Sequence, residues 1–92
     1  MATNTGTVTD LKVRQDGLID LATVTILDNA DNVSELFILW AGDVGQPTPF
    51  SVWIERSMVI SMLKDALVNK LNVSLTHEDT STLIQYIDLL AA

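Results

Sequence analysis

Apolar residues lie on two sides of a single helix in the stretch Phe50 to Leu71, FSVWIERSMVISMLKDALVNKL. At about 100° per residue, Val52, Trp53, Val59, Ile60, Leu63, Ala66, Leu67 and Leu71 fall within one broad arc. Ile54, Met58 and Met62 recur at every fourth position on roughly the opposite side. One stripe can be buried in the chain's own core. The second needs another surface to cover it, and the adaptable methionine side chain suits that role.

The remaining segments alternate with a period of two. Met1 to Gly6 is small and polar and reads as a flexible N-terminal segment, leaving residues 7–92 as one domain. Thr7 to Gln15 reads as a first strand, with Leu11 and Val13 on one face and Asp10, Lys12 and Arg14 on the other. Asp16-Gly17 is a two-residue turn signal leading into a second strand, Leu18 to Leu27. There Ala22, Val24 and Ile26 share one face, and Thr23 and Thr25 the other.

A polar loop, Asp28 to Asn32, precedes a third strand, Ser34 to Trp40, whose nearly continuous apolar character predicts cover on both faces. Ala41 to Pro49 holds two glycines and both prolines and must break the sheet. Thr48 suits an N-cap with Pro49 at the first helical position, so the helix is expected from about Pro49 to Leu71, with Lys64 and Lys70 toward its C-terminal end. Asn72 to Thr76 then alternates as a fourth strand, His77 to Ser81 forms a polar connection, and Thr82 to Leu90 is a fifth strand.

The predicted fold is therefore mainly β with one long helix, in the order β-β-β-α-β-β. That order resembles small five-stranded barrels of the OB type, in which a helix between the third and fourth strands plugs one end. Toxin B subunits with such a barrel assemble as rings and pack their long helices around a central pore; the resemblance is one of element order and one long helix, and fold does not carry function. An Sm-like or SH3-like barrel is the alternative. Those barrels also form rings, although a long mid-chain helix departs from their usual order.

Composition supports assembly. The chain has 92 residues, of which 48% are apolar, with a mean hydropathy of +0.32. A domain of this size leaves about a third of its unfolded surface exposed, so surplus apolar residues point to an interface. No window approaches the ~18 apolar residues of a membrane span. The opening residues show no signal-peptide pattern, and a cytoplasmic location is the expectation. Without cysteine there is no disulfide, thiolate metal site or thiol catalysis. Twelve acidic and five basic residues give a net charge of −7, a field that repels nucleic-acid phosphates.

Candidate chemistry is sparse. His77 is the only histidine and stands beside Glu78 and Asp79, but a polar turn accounts for this cluster better than a metal or acid–base site. A serine triad would need His77 as its base, and Ser57 and Ser61 lie inside the helix. Gly42-Asp43-Val44-Gly45 precedes the helix without phosphate-loop spacing, and Asp43 would repel a phosphate. Lys12 and Arg14 could form a nucleic-acid face with Trp40 or Tyr86 stacking a base, but Asp10 shares that face. Trp53 reads as a core anchor. The sequence thus predicts a non-enzymatic small barrel without cofactor, structural or ligand-binding, whose partner is a second copy met through Ile54, Met58 and Met62. A nucleic-acid-binding barrel using Lys12 and Arg14 is the alternative.

Overall fold

The computed structural model describes residues 1–15, 19–43 and 50–90. It contains β1 (Ala2–Gln15), β2 (Ile19–Asp28), β3 (Ser34–Asp43), α1 (Phe50–Asn69), β4 (Asn72–His77) and β5 (Ile84–Leu90). The expected order β-β-β-α-β-β is present. All strand pairs are antiparallel, in one five-stranded sheet of order β3-β2-β1-β4-β5.

The two outer strands of that order curl toward each other and touch at an isolated parallel bridge between Ile38 and Leu83, where the Ile38 N–H donates to the Thr82 carbonyl at 2.9 Å. The sheet is not closed. Beyond that bridge, among the described residues, β3 and β5 share no ladder.

The first strand begins earlier than its alternation suggested. Residues 2–6, expected to be loose, pair with β4 from Ala2 opposite His77 to Gly6 opposite Val73. Gly6 also faces Asp28 of β2, so it sits where β1 passes from one partner to the other. A Cβ there would come within 2.1 Å of the Leu27 carbonyl oxygen, which only glycine avoids. The polar residues of this segment concealed a strand because its ladder is made by backbone, not by an apolar face.

The β1–β2 hairpin expected around Asp16-Gly17 is shown by its register, which ends with Gln15 opposite Asp20. The turn residues themselves, and the Thr48-Pro49 helix start, lie outside the described residues. On β2 the expected inward row Ala22, Val24, Ile26 is fully buried and continues to Asp28. On β3 only Phe37 is buried, while Leu36 is exposed, so cover on both faces does not occur. An edge strand of an open sheet has solvent on its outer side, whatever its hydropathy.

The helix is unbroken for 20 residues, about 30 Å at the standard rise. It ends in a left-handed residue, Lys70 (φ 56°), after which the Leu71 N–H donates to the Ala66 carbonyl at 3.0 Å. This closes the helix in the Schellman manner and carries Leu71 onto the core. Val8, Val24, Ile26, Phe37, Leu63, Ala66, Val73 and Leu75 form that core, with Leu11, Leu39, Val59, Ile84 and Ile87 packed around it.

The helix meets the core through Val59, Leu63 and Ala66, on one side of the broad arc. Trp53 and Leu67, at one margin of the arc, are exposed, so Trp53 is not the expected core anchor. Among the described residues no helix is long and apolar enough to cross a membrane.

Candidate functional site

Two places gather side chains that the core does not consume. The first is the outer side of α1. Phe50, Trp53, Ile54 and Met58 are 79%, 54%, 46% and 66% exposed and line one shallow depression together with Ser57. Met62 diverges from them: it is half-buried and turns toward β5. With Met58, Val59 and Leu89 it floors a groove of about 800 Å³ whose rim carries Glu55 and Asp65. Of the expected stripe, Ile54 and Met58 are thus exposed together, while Met62 is half-buried in the groove.

Along the first half of the helix Arg56 is half-buried, its guanidinium 4.9 Å from the centre of the Trp40 ring, while Phe50, Trp53, Ile54 and Met58 face solvent. Such stacking of guanidinium on indole recovers part of what burying a cation costs.

The second place is a polar cluster on the inner face of the sheet, where the rows of β1, β2, β3 and β4 run past the apolar core. Asn4 is its hub. Its amide donates to Glu35 Oε2 at 2.7 Å and to Asp28 Oδ2 at 3.2 Å. With the amide so directed, its carbonyl oxygen meets His77 Nε2 at 2.7 Å, while Nδ1 lies 2.7 Å from the Glu78 carbonyl oxygen. Both ring nitrogens therefore face oxygen acceptors, and the ring packs on Phe37 with centroids 5.2 Å apart.

Asp28 Oδ1 also accepts the Ala30 N–H at 2.8 Å and the Asp31 N–H at 3.3 Å. The Ala30 N–H first, then the Asn4 amide and the Asp31 N–H, hold its carboxyl below the usual aspartate value against the opposing effect of burial.

This placement corrects the sequence reading of His77. The residue is not in the polar turn but ends β4, buried and facing inward, because the alternation of Val73 and Leu75 continues through it. A hydrophobicity pattern cannot see this, since histidine scores as polar and the chain turns at the very next residue. The Asn4–Asp28–Glu35–His77 association was equally hidden, its members being up to 73 residues apart.

Every buried side-chain polar atom among the described residues has a hydrogen-bond partner, and no three His, Asp or Glu residues there converge as metal ligands. A recess of about 400 Å³ opens beside the cluster, lined by Asn4, Glu35, Leu36, Phe37, His77 and Thr82. Ser57 and Ser61 are exposed on α1 and do not line it.

Lys12 and Arg14 are exposed and share the outer face of β1 with Asp10, whose carboxylate lies 3.7 Å from the Lys12 ammonium. Trp40 pairs with buried Ala22 and so belongs to the inner face, away from these cations, whereas Tyr86 pairs with Thr76 on the outer face. The structure does not assemble Lys12, Arg14 and Trp40 into one surface. Compared with known proteins, the chain matches no family model, no curated protein and no solved structure.

Proposed function

We propose that this chain is a non-enzymatic structural module that assembles with copies of itself, built on a small five-stranded barrel of the OB-like type. The observation carrying the assembly reading is the apolar outer side of α1, where Phe50, Trp53, Ile54 and Met58 are all exposed. Large side chains at ~200 Å² each give a patch of roughly 500 Å² there. Leaving it in water would forgo on the order of 10 kcal/mol of transfer free energy at ~25 cal/mol per Å².

A second copy is the occupant favoured by charge. A molecule of net charge −7 repels its own kind except through neutral surface, and this side of the helix carries no charge from Phe50 to Ile54. The Ile38–Leu83 bridge supports the barrel reading, because it joins β3 to the residue just before β5 in the parallel sense that closure requires. The alternative, nucleic-acid binding through Lys12 and Arg14, has the overall charge against it and Asp10 beside Lys12.

The test is solution mass. Light scattering across a concentration series should give a closed oligomer for the native chain and a smaller, still folded species for Met58→Glu. A native chain that remains monomeric at high micromolar concentration would refute self-assembly.

A further inference from the structure

A patch of roughly 500 Å² falls short of the ~800 Å² that each partner of a stable complex contributes. A second contact is needed, and two exposed strand edges supply it. Beyond Thr7, β1 pairs only with β2, so among the described residues its other edge is open over the segment containing Leu11, Lys12 and Val13. β5 pairs with β4 on one side, and apart from the bridge just before it at Leu83, its other edge is open as well among the described residues. Open edges template pairing with another chain.

Resting on the self-assembly reading, we propose that the distal half of β1 in one copy adds to the open edge of β5 in the next, continuing the sheet between subunits. Side-chain alternation selects this pair. Val13 lies opposite buried Ala22 and Leu11 opposite buried Val24, which places both on the inner face. Leu89 lies opposite Val73 and Ile87 opposite Leu75, again on the inner face. Joining the edges in antiparallel register sets Val13, 57% exposed in the single chain, opposite Ile87, and Leu11 opposite Leu89 of the groove that Met58 and Met62 line.

The outer faces match by charge. Lys12 and Arg14 would stand across from Asp88 and Tyr86, which pair with Ser74 and Thr76 on that face. Opposite charges and cation–aromatic pairs across strands each favour association by modest amounts, and together they fix which edge meets which. The Asp10–Lys12 pair does not compete strongly, since both groups are exposed.

The two edges are different surfaces, so the contact is head-to-tail. Such contacts close as rings when the rotation allows and otherwise run on as filaments. The neighbour then lies beside Met58, which shares one groove with Leu89 and belongs to the helix patch as well.

Because the chain has no cysteine, single cysteines report the contact directly. Val13→Cys and Ile87→Cys, which face each other in this register, are made separately and mixed under mild oxidation. The mixture is expected to form covalent dimers at least tenfold faster than either variant alone, as a head-to-tail contact demands. Lys12→Glu is expected to lower the solution mass, and adding Asp88→Lys in the same chain to restore it. A native oligomer in which the mixed cysteines do not cross-link and Lys12→Glu changes nothing would overturn the edge pairing while leaving the helix contact standing. A monomeric native chain would overturn both.

Discussion

Strand β2 and helix α1 are both rich in apolar residues, yet they spend them differently. On β2 the inward row Ala22, Val24 and Ile26 is wholly buried, and the threonines between them face the other way. On α1 only Leu63 and Ala66 are buried among 20 residues, and four large apolar side chains of its first half face solvent. The strand's pattern leaves one solution, because a period of two allocates each residue to a face. The helix is apolar over so much of its circumference that its own chain can cover only part of it. The difference marks β2 as part of the folding core and α1 as both core and surface.

The comparison breaks most sharply under one substitution made in both elements. Ile26→Ala removes a fully buried side chain and should cost about 4 kcal/mol in chemical denaturation. Ile54→Ala, the same chemical change on the exposed side of α1, should move monomer stability by no more than ~0.5 kcal/mol. If Ile54→Ala destabilises the monomer as much as Ile26→Ala does, the outer side of α1 is covered within the chain and the assembly reading loses its basis.

His77→Ala should cost about 2 kcal/mol, measured the same way. It strips the ring from Phe37 and leaves the Asn4 carbonyl oxygen without its buried partner. This departs from the near-neutral effect expected of an exposed turn residue. His77→Ala and Asn4→Ala should be strongly non-additive, since either change dismantles the same network.

The smallest expected effect is on acid stability. The Asp28 carboxyl is held below its ordinary value, so its contribution is present above about pH 4, the unfolded-state value, and is lost as pH falls through the folded one. Asp28→Asn should therefore flatten the dependence of stability on pH below about 4 while leaving the neutral-pH assembly state unchanged. An unchanged acid limb in a pH series of denaturation curves would show that the carboxylate's contacts do not outweigh those it makes when unfolded.

Much of the fold was legible in the sequence for reasons visible in particular residues. The alternation of Ala22, Val24, Ile26 and of Val73, Leu75 specified two strands and their inner faces, and the proline-bounded loop with the apolar run after it specified one helix. The order of the elements and the excess of apolar residues over what a small core can hold were equally local information. The tertiary structure decided the rest. It made a strand of Ala2 to Gly6 by giving its backbone β4 as a partner, something no side chain there announces. It turned the helix so that Val59, Leu63 and Ala66 pack inward and Trp53 does not, because the sheet's curvature, absent from the sequence, sets which part of a wide apolar arc touches the core. It also gathered Asn4, Asp28, Glu35 and His77 into one partly buried network, since hydrogen bonds between distant polar residues depend on strand register, which exists only once the sheet has formed.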